Sequence, residues 1–576
     1  MRLLLEQAVR MLNETREIAA LAATSSWLTQ FTWGLTDEGD VRLDFDVTFG
    51  ATVYEAVLVY PELFPHAPAY VRPRKPSEAW STHQYPTTGT LCLEWGPDNW
   101  HVGVTGADLL QSTAKLLTFE TLGAALGVEA PSRHALTTGQ SLRGKHSRFL
   151  ATSQYRAAVA AYMHVPCTPL TVLTLIRTDV LVAMPTRIGG EESVPIAGLP
   201  REFNESDSLF NWNREGWVVR CDEWVNLPPT SSQSEIRAFL KAKERWPWPD
   251  DANHNGFLVL VDDTQRMRSF GLTTGEGTTA YEYHVVEADS DENPRQPERH
   301  AQLAEKRVAL IGLGSVGSKV AISLARSGVR RFLLVDDDVF LPSNLVRHQL
   351  DWQSIGVNKV DGVCTAINLV RPGADVETRS FRIAGQESSS YNNAILQKVA
   401  ACDLVIDATA NPHAFAGVAA ICTRKNVPLV WGEVFAGGIG ALMARSIPGK
   451  DAPPLDVRTA VHDYLSSLPE APFKRAQGYE FDEGGDVHVA GDAEVSQLAA
   501  SLSQFSIDAL VAGDKSRFPV AAYLFGYQKA WCFEAPYDTR QIECPTAAVG
   551  PSTSADAEEN ASAFEELVSV FVEKKC

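Results

Sequence analysis

The stretch RVALIGLGSVGSKVAISLARSGVRRFLLVDDDV, Arg307 to Val339, constrains this chain more than any other. An apolar run of strand length meets Gly312, Gly314 and Gly317 at GxGxxG spacing. A helical pattern follows, then a second apolar run that ends at Asp336. This is a strand–helix–strand unit with parallel strands. Glycine at these positions lets the backbone turn tightly and approach a phosphate chain. The helix that follows points N–H donors and the positive end of its dipole at the same place. Asp336 falls where an acid binds a ribose hydroxyl. To this point a dinucleotide oxidoreductase and an ATP enzyme fit equally well.

The next residues separate the two. In DDDVFLPSNLVRHQLDWQSIGVNKVDGV, Asn344, Arg347 and Lys359 come soon after the acid. Arginine and lysine stabilise triphosphate charge during phosphoryl or nucleotidyl transfer, and a dinucleotide oxidoreductase has no evident need of them here. Two further strand-like runs end near Thr409 and Val434. The expectation is a mostly parallel, Rossmann-like α/β sheet.

A chain of 576 residues exceeds one hydrophobic core. Three blocks are expected: 1–160, 161–290 and 291–576. The first has an amphipathic opening helix, alternating strands (VRLDFDVTF, YEAVLVY), a Pro-rich loop and further helix, an α+β pattern. The second mixes strand-like runs with polar loops, carries no motif, and is expected to be an α/β linker or docking domain. EADSDENPRQPERHAQ reads as a linker before the third block, and PSTSADAEENASA as a loop before a final helix. With 51 basic against 71 acidic residues the net charge is −20. That argues against bulk nucleic-acid or anionic-membrane binding. No run is apolar enough to span a bilayer, so a soluble, cytoplasmic protein is expected. Nine cysteines include no CxxC pair, which disfavours a zinc ribbon and suggests reduced thiols.

VALIGLGSVGS, LVDDDVFLPSNLVRHQL and GVNKV together resemble the ThiF-type adenylation domain of ubiquitin-activating enzymes, over roughly residues 300–450. The resemblance implies ATP binding, with Asp336 on the ribose and Asn344, Arg347 and Lys359 on the phosphates. The family shows an Asp–Asn pair, its Asp on Mg²⁺, where this chain has Ala410–Asn411. Asp407 or Asp338 could take that place. Relatives also borrow an upstream arginine, sometimes across a dimer, which makes Arg295 and Arg299 candidates.

An adenylation domain makes an acyl-adenylate, and a thiolate is a good nucleophile to capture it. Gly89, Cys92, Leu93 and Trp100, followed by VTGADLLQSTAKLL, resemble the active-site segment of ubiquitin-conjugating enzymes over roughly residues 1–150. That family has His-Pro-Asn before its cysteine; this chain has HQYP, with Gln84 or a backbone N–H left to replace the Asn. In the third block Cys364, Cys402 and Cys422 lie in apolar segments and read as core, while Cys576 is terminal. Cys544, before a proline and a small-residue loop with Arg540 nearby, is preferred over Cys532 as a second nucleophile.

The whole arrangement resembles the fused ubiquitin-activating/ubiquitin-conjugating proteins of bacterial type II CBASS anti-phage operons. The resemblance implies adenylation of a partner's C-terminal carboxylate, thioesters on Cys544 and then Cys92, and transfer to a target lysine. It implies a cGAS-like nucleotidyltransferase as the carboxylate donor, and a homodimer. The alternatives are a different ubiquitin-like carrier, or a non-catalytic scaffold with decayed sites.

Overall fold

A computed structural model describes residues 2–75, 77–81, 83–85, 88–126, 139, 142, 144–191, 193–198, 211–228, 232–249, 255–273, 279–288, 296–386, 388–470, 474–475, 481–483, 486–545 and 562–564. The chain divides into two compact units, Met1–Gly144 and Lys145–Cys576.

The first unit opens with helices α1 (Arg2–Glu6) and α2 (Ala8–Thr24). Strands β1 (Leu28–Leu35), β2 (Val41–Phe49), β3 (Thr52–Tyr60) and β4 (Tyr70–Pro73) form an antiparallel meander in that order. An irregular stretch carrying Cys92 leads to α3 (Gly106–Leu126). Strand β2 shows why this sheet is two-sided. Val41, Leu43, Phe45 and Val47 are buried, and the residues between them are half-buried. That is the period of two expected when one face meets a core. The core lies against Met11 and Ile18 of α2 and Leu109, Leu110 and Leu117 of α3.

Glu14 on α2 is 1% exposed and ties these layers together. Its Oε1 accepts from Arg10 Nε at 2.8 Å. Its Oε2 accepts from the Tyr60 hydroxyl at 3.0 Å and from the Gly106 N–H at 2.6 Å. A buried carboxylate on one helix thus satisfies an orphan N–H at the start of another. A Cβ on Gly106 would lie 1.9 Å from the Tyr60 hydroxyl, so glycine is required there.

The second unit begins with a closed sheet. Its elements are β5 (Ser147–Thr152), α4 (Ser153–Ala161), β6 (Cys167–Arg177), β7 (Val180–Ile188), β8 (Val194–Pro195), β9 (Asn211–Arg220), α5 (Gln233–Lys241), β10 (Gly256–Val261), β11 (Met267–Thr273) and β12 (Thr279–Ala288). The order β5-β12-β11-β10-β9-β6-β7 returns to β5, giving a seven-stranded barrel with β8 on the edge of β7. Phe149 of β5 stacks on Phe257 of β10 at 5.4 Å. These strands are not neighbours, so their contact marks the interior. An α/β linker or docking domain was the expectation for 161–290; the described residues place these strands in the barrel, with the nine-residue α5 between β9 and β10. Strand β5 and helix α4, which the sequence grouping puts in the first block, belong to the barrel.

The remainder is the expected mostly parallel sheet. It comprises β13 (Arg307–Ile311), α6 (Ser315–Ser327), β14 (Arg331–Val335), α7 (Lys359–Val370), β15 (Asp375–Arg379), α8 (Ser389–Ala400), β16 (Leu404–Asp407), α9 (Pro412–Lys425), β17 (Leu429–Phe435), β18 (Gly440–Ser446), α10 (Pro454–Ser467), β19 (Lys474–Arg475), β20 (Phe481–Glu483), β21 (Asp486–His488), α11 (Asp492–Val511), β22 (Ala522–Gly526) and β23 (Thr539–Ile542). Strands β19–β21 form a small separate sheet. The main order is β15-β14-β13-β16-β17-β18-β22-β23, with the first five parallel. Helices α6, α7 and α11 cover one face, and α8, α9 and α10 the other. The chain therefore leaves β13 and β16 toward opposite faces, which opens a crevice beyond their C-terminal ends. Ligands bind at such a point. Of the expected final helix, 562–564 are described and helical; the rest lies outside the described residues. No described helix is long and apolar enough to cross a membrane.

The Glu14 network yields a stability test. Glu14→Ala leaves the Gly106 N–H and the Tyr60 hydroxyl without their acceptor. We expect a loss of about 3–5 kcal/mol, read as urea-induced unfolding by hydrogen exchange of the β1–β4 amides.

Candidate nucleotide and thiol sites

The glycines of the β13–α6 turn have different reasons to be glycine. Gly312 sits at φ +83°, and its Cβ would lie 2.9 Å from Thr409 Cγ2. A Cβ on Gly317 would lie 1.9 Å from the Gly312 carbonyl oxygen. Gly314 caps α6, and nothing comes within 4 Å of its Cβ position. A side chain there would fill the open space above the helix N-terminus, where an anion is most favoured.

Between them, Leu313 is held by both backbone groups. Its N–H donates to Asp336 Oδ2 at 2.6 Å. Its carbonyl meets His348 Nε2 at 2.7 Å. The Leu350 N–H donates to His348 Nδ1 at 3.1 Å, so Nδ1 is the acceptor and Nε2 carries the proton. His348 is 8% exposed, and burial holds it down to about 4, helped by Lys359 and Lys319 and opposed by the Leu313 bond. Burial pushes Asp336 up, against its N–H bonds and Lys359. Its Oδ1 accepts from the Asp338 N–H at 2.9 Å. Each oxygen keeps a lone pair for a further donor.

From this clamp one network reaches the other predicted residues. Lys359 opens α7, and its Nζ lies 2.7 Å from Asp338 Oδ2. The lysine side chain is 9% exposed and the aspartate 66%, so the carboxylate stands on the rim. Asn344 accepts from the Leu341 N–H through its side chain at 2.9 Å, and from the His348 N–H through its carbonyl at 3.0 Å. The Arg347 guanidinium donates to the Ala490 carbonyl at 3.1 Å, just before α11. Lys319 of α6 pairs with Asp492 in the first turn of α11 at 2.8 Å. Lys359, Arg347 and Lys319, the carboxylates of Asp336, Asp338 and Asp492, and the α6 N-terminus thus gather at the strand ends. Sequence reasoning missed His348, although it directly follows Arg347 in the quoted stretch.

Asp407 does not join this group. It pairs in register with Ile311 and Trp431, so its side chain lies on the α9–α10 face. Oδ1 is taken by the Thr409 N–H at 2.9 Å and hydroxyl at 2.7 Å. The carboxyl is 4% exposed and burial pushes it up. It does not fit an Mg²⁺ ligand, which wants accessible oxygens; the carboxylate open to the crevice is Asp338. Among the described residues no three His, Cys, Asp or Glu side chains come together to hold a metal. Ala410 takes φ +50°, a region where Asp and Asn are enriched. Asn411 caps α9 through its side chain. Arg299 is exposed, beside the His300 carbonyl that packs on Gly328 at the far end of α6, about 20 Å of helix from Gly314. Arg295 lies outside the described residues.

Cys92 lies in a hairpin. Its N–H donates to the His83 carbonyl at 2.8 Å, the Tyr85 N–H donates to the Thr90 carbonyl at 2.9 Å, and Gln84 bridges Leu91. Leu91 and Leu93 are 4% and 5% exposed, anchoring a half-buried Cys92 between them. Burial pushes its thiol up and a hydrogen bond from Tyr85 opposes this. Gln84 does not serve the thiol. Its Nε2 donates to the Glu78 and Gly89 carbonyls at 2.8 and 3.0 Å, and its Oε1 accepts from the Trp80 N–H at 2.8 Å.

The two other candidate cysteines occupy opposite ends of the main sheet. Phe435, Gly440 and Gly526 are register partners at the end that carries the glycine loop. Cys532 lies in the turn after Gly526, with the Arg540 guanidinium donating to its carbonyl at 3.1 Å. Burial raises its thiol and Arg540 lowers it. Cys544 follows Ile542 toward the other end. Burial pushes it up to about 11, with Asp451 and Glu543 adding to the shift. The expected help from Arg540 is absent, because that guanidinium is engaged by Cys532 and by Asp538 at 2.7 Å.

The ThiF family matches residues 293–460. Ubiquitin-like modifier-activating enzyme 5 of Drosophila mojavensis is 26% identical over 168 residues, 27% of this chain and 42% of that protein. ATP-dependent ubiquitin transferase-like protein Cap2 of Enterobacter hormaechei is 34% identical over 119 residues, 20% of this chain and 19% of that protein. An uncharacterized protein of Sinorhizobium fredii, y4qC, is 33% identical over 140 residues, 24% of each chain. The chain thus spans less than half the length of these relatives. A solved chain of E. coli MccB with ATP aligns at TM-score 0.33 and 16% identity, covering 44% of this chain and 67% of that one. Residues 293–460 are a ThiF-family, E1-like adenylation domain.

His348 gives a pH test. Folded, it titrates near 4 instead of 6.5, so the unfolded chain takes up the proton first as pH falls. The stability this provides, on the order of 3 kcal/mol, is present above pH 6.5 and lost as pH falls toward 4. We expect His348→Gln, which keeps an N–H donor, to flatten that decline in urea unfolding across this range.

Proposed function

We propose that this chain adenylates the C-terminal carboxylate of a partner protein with ATP and passes the acyl group through two thiols to an amine. The observation that carries this is the clamped glycine loop, with Lys359, Arg347 and Asp338 around its open side. ATP would lie with phosphates over Gly314 and ribose at Asp336, Mg²⁺ arriving on the phosphates beside Asp338. A carboxylate oxygen attacks the α-phosphorus and pyrophosphate leaves. A thiolate then attacks the acyl carbon and AMP leaves. The Cys92 thiolate displaces the first thiol, and a lysine amine finally displaces Cys92.

The sequence favours Cys544 as the first thiol. Its place at the nucleotide end of the sheet and the neighbouring Arg540 favour Cys532, and we carry Cys532 forward. The first unit supports the second half of the relay. Helix, four-stranded meander, cysteine loop and helix follow in the order expected of a conjugating-type domain. The matched segment of Cap2, an ATP-dependent ubiquitin transferase-like protein, supports ATP-dependent transfer of a ubiquitin-like protein; an anti-phage system, a cGAS-like nucleotidyltransferase as carboxylate donor, lysines on target proteins as acceptors and a homodimer complete the proposal. A different ubiquitin-like carrier would use the same chemistry. Ala410 favours the scaffold alternative, because it removes a carboxylate from the site.

The test is non-reducing intact-mass spectrometry of the chain co-expressed with its operon neighbours. We expect a thiol-labile protein adduct that accumulates in Cys92→Ala and disappears in Cys532→Ala. Loss in Cys544→Ala alone would transfer that role to Cys544. No adduct in any variant, with the neighbours verified by mass, would favour the scaffold. Lys359→Ala and Arg347→Ala should each lower partner-dependent ATP–pyrophosphate exchange about 10²-fold or more.

A further inference from the structure

The hairpin around Cys92 sorts its side chains by face. Register pairs Gln84 with Leu91, so His83 lies opposite Cys92 and Tyr85 opposite Thr90. Side chains alternate along each arm. Leu91 points into the core, and Gln84, on that same face, is spent on the backbone. His83, Tyr85, Thr90 and Cys92 therefore share the other face. Tyr85 is 57% exposed and hydrogen-bonds the Cys92 thiol, so its ring stands at the surface on the thiol's side.

We propose that Tyr85 is a catalytic residue of the Cys92 site, its phenol O–H donating to the sulfur at rest and to the thioester carbonyl oxygen during amine attack. This rests on the reading of Cys92 as a nucleophile, and goes beyond it by making the tyrosine of HQYP the donor where the conjugating-enzyme pattern has an asparagine. The amine lone pair forms a bond to the acyl carbon, and the C=O pair moves onto oxygen, where the phenol receives it. Collapse reforms C=O and expels sulfur with the C–S pair. The Cys92 thiolate regains the phenol hydrogen bond, and the extra amine proton leaves to water. Preorganised donors of this kind act most strongly where charge develops. Charge on Cys92 raises the Tyr85 phenol, aided by burial and Asp98, so Tyr85 keeps its proton while the thiolate is present. His83 is the other titratable group on this face.

The test needs no partner. The full-length chain is treated with p-nitrophenyl acetate, whose ester carbon the thiolate attacks as nitrophenolate leaves. Acetyl–Cys92 is followed by peptide-mapping mass spectrometry, with Cys92→Ala as control. Free lysine is then added and the loss of acetyl measured. In Tyr85→Phe we expect the pH profile of Cys92 acetylation to move to higher pH, and lysine-driven deacetylation to slow about 10²-fold. Tyr85→His, which keeps a donor, should recover part of both, separating a lost donor from a disturbed hairpin. Tyr85→Phe matching wild type in both readouts overturns the proposal and leaves the Cys92 reading intact. No acetyl on wild-type Cys92 at any pH overturns the Cys92 reading, and this proposal with it.

Discussion

The peptide of Leu313 is gripped from two sides, by the Asp336 carboxylate at its N–H and by the neutral His348 imidazole at its carbonyl. The site at the strand ends depends on that grip. A phosphate-binding turn must keep its N–H groups aimed outward before a ligand arrives, and a free glycine-rich turn has many conformations to lose. Fixing the central residue lets Gly312 keep its positive φ, and Gly314 its place at the helix N-terminus, without a packed side chain. Both grips come from segments distant in sequence, so the turn forms only when β14 and the 344–350 segment are in place.

The remaining polar groups extend from the clamp. Asp336 reaches Asp338, Asp338 holds Lys359, and His348 shares the Asn344 carbonyl with Arg347. Buried polar networks are costly unless satisfied, and here each bond satisfies one group while positioning the next. The nearly buried Lys359 is stabilised by Asp338 on the rim. A triphosphate entering the opening would offer that ammonium a second anion.

Much of the adenylation half was legible in sequence because its signals are local. The GxGxxG turn, the acid at the end of β14 and the basic residues after it lie within 50 residues, and strand–helix alternation fixes parallel order. Three features of the sites were not legible. His348 is an unremarkable histidine until folding brings Leu313 within 2.7 Å. Asp407 sits at a strand end as a ligand would, yet register turns it to the α9–α10 face, a matter of one-residue parity. Arg540 is close to Cys544 in sequence, but pairing with β22 sends its guanidinium to Cys532. The barrel was invisible for a different reason. Its closure depends on β5 pairing with β7 and β12 across long sequence separations, and no local pattern records that.

The central claim is that the clamped turn is a nucleotide site. Hydrogen–deuterium exchange of the full-length chain with and without Mg²⁺–ATP tests it directly. The account predicts slowed exchange at the amides of residues 313–318, 336–338 and 344–348, with the β5–β12 barrel unchanged. Unchanged exchange in those three segments at saturating ATP would contradict it.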